Sequence, residues 1–215
     1  KPSNGYSFSI TKKVAAGSGL GSSASSSAAA VVALNELLGS PFSRHELIPF
    51  AMKGEALASG AEHADNVAPS ILGGFTLVQS YEPLRVVNLH YPEDLVATIV
   101  HPHVEVKTAD SKRILRQSIP LKTAITQWAN VGGLVAGLAQ EDFELIGHSL
   151  QDVVAEPTRS MLIPMYEQVK ILSKELGALG CSISGSGPSI FMLSDAMNIA
   201  QSLAESLKDL YMDNL

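Results

Sequence analysis

The sequence is short of cysteine, of aromatic rings and of charge. Cys181 is the single cysteine among 215 residues, so no intrachain disulfide can form. A reducing, cytoplasmic setting fits that shortage. Aromatic residues make up 6% and charged residues 17%, with 21 acidic against 15 basic side chains and a formal net charge of −6. Such a composition offers no basic, aromatic-rich face, which counts against a nucleic-acid partner. There is no uninterrupted run of the roughly 20 apolar residues that a membrane helix needs. The opening Lys1-Pro-Ser-Asn-Gly5 also lacks the apolar core of a secretory signal. What the chain does have is apolar material, 46% of it, enough to core one large domain or two small ones. An acidic protein of this kind can hold a polyanion only with local dipoles, a metal ion and a few cations.

Periodicity organises the rest. Tyr6–Thr11 alternates and predicts a strand, Ala24–Leu38 a helix of small residues closed by Gly39, and Ser43-Arg-His-Glu46 a capping box that starts a second helix near Arg44. That helix is expected to reach about Ser59, with Pro49 inside it. Residues 61–70 read as polar and irregular, and Gly73-Gly74-Phe75 as a turn into a strand. The pattern restarts near Pro92, which suggests domains at 1–92 and 93–215. In the second, strands are expected at Leu95–His101, Cys181–Ser184 and Ile190–Leu193. Helices are expected at Ala109–Gln117, Leu121–Leu138, Phe143–Val154, Met165–Leu179 and Asp195–Tyr211. Alternating helices and strands indicate an α/β or α+β protein.

Three segments carry chemistry. In Gly17-Ser-Gly-Leu-Gly-Ser-Ser-Ala24 a glycine loop opens directly into a helix. Glycines let backbone approach an anion, and the free N–H groups and dipole of a helix start attract one. Ser22 and Ser23 add hydroxyls for phosphate or metal. No lysine follows, so this is not a Walker loop, and glycines at 17, 19 and 21 miss the G-x-G-x-x-G spacing. A flexible linker is the alternative, disfavoured by the strand before and the apolar helix after. In the second segment Glu55, His63, Asp65 and Asn66 put carboxylates, an imidazole and an amide close together in sequence. Phosphoryl transfer could use these as magnesium ligand, alcohol orienter and base, although a helix end followed by a solvated loop explains them equally. The third, Ser184-Gly-Ser-Gly-Pro-Ser189, joins two strands and also reads as a hairpin turn. Arg159, in a loop between helices, and Lys112 or Arg113, after a strand, are candidates to hold a carboxylate. A zinc site from His63 with His101 or His103 has no closely spaced ligand pair behind it.

Gly17–Ala24 resembles the second motif of the small-molecule kinases named for galactose, homoserine, mevalonate and phosphomevalonate, the GHMP kinases. Ser184–Pro188 resembles their third. The string from Glu55 through His63, Asp65-Asn66-Val67-Ala68-Pro69 to Gly73-Gly74-Phe75 is similar to the homoserine-specific branch. The resemblance runs from about Tyr6 to Tyr211. It implies an α+β fold with a ribosomal-protein-like N-terminal domain, only partly present, and a ferredoxin-like C-terminal domain. The first motif and the last strand have no counterpart here.

The resemblance implies roles as well. Gly17, Ser18, Gly19, Leu20, Gly21, Ser22, Ser23 and Ala24 would wrap the triphosphate of ATP, supported by Gly185 and Gly187. Ser23 and Glu55 would hold Mg²⁺. Asn66 and His63 would meet the amino acid, with Thr108, Arg159, and Lys112 or Arg113. The family usually carries arginine where Lys112 stands. Asp65 occupies the obvious base position, although a metal-activated phosphoryl group can be attacked without one. The expected reaction is phosphorylation of L-homoserine to O-phospho-L-homoserine, a step toward threonine, and a homodimer is left open. A kinase of the same family with another alcohol such as mevalonate, and a nucleotide-binding protein without turnover, are the alternatives.

Overall fold

The computed structural model describes residues 5–104, 106, 111 and 113–214. Of Ala58, Ser59, Asp213 and Asn214 only the backbone is described. The chain forms two compact units. The first comprises residues 1–16 and 21–88, the second residues 17–20 and 89–215.

The first unit is built on helices α1 (Ser22–Leu37), α2 (Arg44–Ser59) and α3 (Val67–Leu72), with strands β1 (Phe75–Tyr81) and β2 (Leu84–Leu89) paired as a two-stranded sheet. The predicted capping box is present. Ser43 accepts from the Glu46 N–H, and Glu46 accepts from the Ser43 N–H. Ala24, Ala28, Leu47, Ile48, Ala51, Met52, Val67 and Ile71 share one core. Small residues let α1 and α2 meet closely. The Ser27 hydroxyl donates to the Ala51 carbonyl at 2.6 Å, and a Cβ at Gly54 would overlap that hydroxyl.

The second unit holds an antiparallel sheet of β3 (Val96–Val100), β4 (Gly180–Ile183) and β5 (Ile190–Ser194) in the order β3-β5-β4. Ile99 faces Phe191, and Cys181 faces Met192. Its helices are α4 (Leu121–Gln140), α5 (Phe143–Ser149), the single turn α6 (Glu156–Arg159), α7 (Tyr166–Glu175) and α8 (Met197–Asn214). Tyr166, Val169, Cys181, Ile190, Met192, Leu203 and Leu207 form its core.

Several sequence expectations change. Tyr6–Thr11 is irregular, not a strand. Alternation becomes a strand only with a hydrogen-bonded neighbour, and Tyr6, Phe8 and Ile10 stay exposed. Residues 61–70 are not irregular throughout. Val67, Ala68 and Ile71 are buried and drive helix α3. Strand β2 was not anticipated, although Leu84-Arg-Val-Val-Asn-Leu89 follows the Glu82–Pro83 turn. The Val- and Ile-rich stretch at Leu95–His101 reads as a buried-type strand, yet β3 leaves Ile99 exposed. Helix α5 stops at Ser149 rather than Val154. Side chains of α4 and of the loop capture the backbone beyond it: Asn130 donates to the Gln151 carbonyl at 2.7 Å, Gln127 accepts from the Val153 N–H at 2.9 Å, and Asp152 accepts from the Val154 and Ala155 N–H groups. Arg159 lies on the one-turn helix α6, not in a loop. Of the predicted helix at 109–117, residues 109, 110 and 112 lie outside the described residues, Ser111 and Arg113 are helical, and residues 114–117 are turn and irregular rather than helix.

Candidate active site

In the first unit the site begins at the N-terminus of α1. Gly21 caps the helix at φ +69°, a left-handed position that disfavours a side chain, and a Cβ there would sit 3.1 Å from the Asn66 carboxamide. The two serines that follow separate in role. The Ser22 hydroxyl donates to the Val14 carbonyl at 2.8 Å and is buried, so it braces the approach to the loop and is not turned toward a ligand. The Ser23 hydroxyl donates to Glu55 Oε1 at 2.9 Å. Glu55, on α2, is buried. A hydroxyl and a carboxylate thus meet where the unpartnered amides and dipole of a helix start attract anions. Ala24 is fully buried in the core, so it can offer a ligand only its backbone.

The acidic-histidine segment leads into α3. Ala64 donates its N–H to the Tyr81 hydroxyl at 3.3 Å, which ties the segment to β1. Asp65 and Asn66 are exposed, and His63 is half-buried. One Asp65 oxygen accepts from the Asn66 N–H at 2.9 Å, a local turn that leaves the other oxygen at the surface. The Asn66 side chain lies against Gly21. The structure therefore brings Gly21, Ser23, Glu55 and Asn66 together through two short contacts.

In the second unit the first four loop residues lie against the second glycine loop. Gly19, at φ +78°, has no room for a Cβ: the carbonyl oxygens of Ser184 and Gly187 occupy that space. The Ser184 hydroxyl donates to the Gly19 carbonyl at 2.9 Å, and the Ser189 N–H donates to the Ser18 carbonyl at 3.2 Å. Ser18 is buried and its hydroxyl accepts from the Leu20 N–H at 3.3 Å. Gly185 and Gly187 are both left-handed, at φ +56° and +79°, and the Gly187–Pro188 bond is cis. The segment is the hairpin connection of β4 and β5, as its turn reading expects, and at the same time one half of a paired loop.

Other residues brace that half, and sequence reading had not singled most of them out. Ser111 is fully buried and donates to the Ser186 carbonyl at 2.9 Å. His101 Nδ1 lies 3.0 Å from the Ser189 hydroxyl, and its ring is 6.4 Å from that of His103. Arg159 donates to the Gly185 carbonyl at 2.9 Å, and its Nε is buried without an acceptor among the described residues. Arg113 is exposed, whereas Thr108 and Lys112 lie outside the described residues. Ser184 and Ser189 flank the Gly-x-Gly-Pro signature, which is the one sequence signal that pointed at them. Ser111 carries none, and His101 stands out in the sequence only as a candidate zinc ligand.

Cys181 is a free, buried cysteine. Burial above all, with the nearby Glu156 charge, pushes its thiol up to about 12.

Among the described residues no helix is long and apolar enough to cross a membrane. The model for the GHMP kinases N terminal domain matches residues 1–74, and that for GHMP kinases C terminal matches residues 134–209. The homoserine kinase of Chloroherpeton thalassium is 50% identical over 206 residues, 96% of this chain and 65% of that protein. The homoserine kinase of Chlorobium phaeobacteroides is 50% identical over 203 residues, 94% of this chain and 63% of its own length. The crystal structure of homoserine kinase from Cytophaga hutchinsonii superposes with a TM-score of 0.91 at 56% identity, covering 94% of this chain and 64% of that one. The chain spans just under two thirds of the length of these relatives. With both of its parts matched by the paired models of one family, its α+β architecture shared with a solved member and its two glycine loops joined backbone to backbone, the chain belongs to the GHMP kinase family.

Proposed function

We propose that the protein is a homoserine kinase, transferring the γ-phosphoryl group of ATP to the hydroxyl of L-homoserine in the cytoplasm, on the route to threonine. The observation that carries this is the Ser23–Glu55 hydrogen bond at the start of a helix that follows a glycine loop. The 50% identity to homoserine kinases over nearly the whole chain supports the choice of alcohol. So does the string Glu55, His63, Asp65-Asn66, whose imidazole and amide suit an amino-acid substrate better than mevalonate, which has no amino group.

Each residue then has a task. The backbone of Gly17–Ser23 holds the triphosphate, with Gly185 and Gly187 supporting it. Ser23 and Glu55 fit Mg²⁺, since a hydroxyl and a carboxylate supply the hard oxygen donors this ion takes beside phosphate oxygens and water. Bound there, the ion would neutralise charge on the β- and γ-phosphates. His63 and Asn66 meet the substrate amino acid. Arg159 offers the substrate carboxylate its buried Nε–H, with Thr108 and either Lys112 or Arg113 as further contacts. The hydroxyl oxygen bonds to the γ-phosphorus as the bridge to the β-phosphate breaks, and alignment with charge neutralisation supplies most of the acceleration. Asp65, exposed and with one oxygen free of the local turn, can take the hydroxyl proton, yet the reaction does not require it. The division into residues 1–92, for ATP, and 93–215 belongs to this proposal; the break between Asn88 and Leu89 supports the boundary, whereas residues 17–20 of the ATP loop group with the second unit.

A coupled ADP-release assay on the full-length protein tests the reading. Homoserine should give the highest kcat/KM among homoserine, serine, threonine, mevalonate and galactose. Higher activity on mevalonate or galactose would overturn the substrate.

A further inference from the structure

Glu156 is a buried carboxylate that the proposed reaction does not use, 8% exposed, on the same helical turn as Arg159. Its two oxygens are spent on two different elements. Lys170 of α7 pairs with Oε1, and the Ser182 hydroxyl of β4 donates to Oε2 at 3.3 Å. Tyr166 lies nearby. Burial first, then the neighbouring Cys181 and Glu156, push its hydroxyl above the ordinary 10, so the ring stays neutral beside the carboxylate.

This arrangement is a poor device for stability alone. A buried ion pair gains little over apolar side chains of similar size, because both charges lose their water. It does fix position. A four-residue helix cannot hold itself together in water. Here the Thr158 and Arg159 N–H groups and the Thr158 hydroxyl donate to the Ala155 carbonyl, and the Ser160 N–H donates to the Glu156 carbonyl, all within one short stretch, so the turn needs tertiary anchors. Glu156 provides them at the first residue of the turn. Three residues on, Arg159 donates to the Gly185 carbonyl. Ser182, the other end of the anchor, lies two residues before Ser184, whose hydroxyl donates to Gly19. Downstream, Ile163 fills the space beside Gly187, where a Cβ would sit 3.2 Å from its methyl. The strand that enters the second glycine loop, and Gly185 by way of Arg159, therefore connect to one carboxylate.

We propose that Glu156 is a positioning residue, which through Lys170 and Ser182 sets the one-turn helix and so holds the Arg159 guanidinium and the Gly185–Gly187 loop in register. The statement about the loop stands on the geometry by itself, and the statement about substrate rests on the kinase reading. Glu156→Gln keeps the shape of the side chain and removes the charge that Lys170 pairs with.

The test is made on the full-length protein, with two readouts. Amide hydrogen exchange at Gly185 and Gly187 should accelerate about tenfold or more relative to the strands of the same sheet, as expected when a local anchor is loosened without global unfolding. In the ADP-release assay the KM for homoserine should rise about tenfold to a hundredfold, the cost of a small misplacement, and the KM for ATP should rise by a smaller factor, because Gly185 and Gly187 support the triphosphate. In an Arg159→Ala background the Glu156→Gln change should add no further rise in KM. Unchanged exchange at Gly185 and Gly187 in a folded variant overturns the proposal whatever the activity. An additive effect on top of Arg159→Ala also overturns it, since the residue would then act by another route. A wild-type protein inactive on homoserine would sink the function above and leave the exchange measurement to decide this proposal. Should Glu156→Gln fail to fold, Ser182→Ala removes only the link to β4 and is read by the same exchange and KM measurements.

Discussion

The hydroxyl of Ser184 donates to the carbonyl of Gly19 across 165 residues of sequence, at 2.9 Å. This bond joins the two glycine loops and leaves no space for a side chain at position 19, where the carbonyls of Ser184 and Gly187 stand. Gly19→Ala therefore meets backbone on one side and carries a left-handed φ of +78° on the other, a conformation that costs an alanine about 1–2 kcal/mol even without the collision. The variant should lose affinity for a nonhydrolysable ATP analogue by at least tenfold, measured by calorimetry. Ser184→Ala should weaken it less, about 1 kcal/mol for one hydrogen bond. Wild-type affinity in Gly19→Ala would detach the loop from nucleotide binding.

The Ser23–Glu55 pair predicts a different signature. Glu55→Gln keeps an acceptor for the Ser23 hydroxyl but loses the charge a magnesium ion would use, so kcat should fall about a hundredfold or more, the loss expected when one preorganised electrostatic group is removed. Arg159→Ala should chiefly raise the KM for homoserine and leave kcat nearer the wild-type value, the pattern of lost ground-state binding. Steady-state kinetics on the full-length variants distinguish the two, and an unchanged kcat in Glu55→Gln would remove that residue from the reaction.

Two glycines of α4 should respond in opposite directions. Gly132 is exposed, has an ordinary φ and no atom within 4 Å of an added Cβ. Gly132→Ala should stabilise the protein by about 1 kcal/mol, because glycine is the poorer helix former. At Gly137 a Cβ would lie 2.9 Å from the Ile146 nitrogen and 3.2 Å from the Asp142 carbonyl oxygen, both backbone atoms of the facing hairpin. Gly137→Ala should destabilise by about 1–3 kcal/mol, as overpacking does. Urea melts of both variants give the signs, and matching signs would refute the packing account.

The capping box of α2 has a pH signature. The hydrogen bond from the Ser43 hydroxyl first, and that from the Ser43 N–H second, hold the Glu46 carboxyl below its ordinary 4.5. A carboxyl depressed on folding contributes stability that is complete above 4.5 and lost as pH falls through its lower folded value. Ser43→Ala should cost about 1 kcal/mol at pH 7 as a lost N-cap. The loss of stability between pH 5 and 3 should be shallower in the variant than in the wild type. Parallel pH profiles would show that the box contributes nothing to the acid response.

Local signals were legible in the sequence because they act over a few residues. The Ser43–Glu46 box, Gly39 at a helix end, and the small residues of α1 foretold α1 and α2, and the glycine spacing at 17, 19 and 21 foretold a loop that only glycines can make. The motif strings were enough to point to the family. The tertiary structure alone decided which hydroxyl does what: Ser22 turns inward to Val14 whereas Ser23 reaches Glu55, though the two are neighbours of the same type. It also decided that Ser111, Ser184 and Ser189 hold the glycine loops, that Asn130 and Gln127 end α5 early, and that Glu156 stands behind Arg159. The reason is that a hydrogen bond or ion pair between distant positions depends on where packing places the backbones, and the residue types alone leave that placement open.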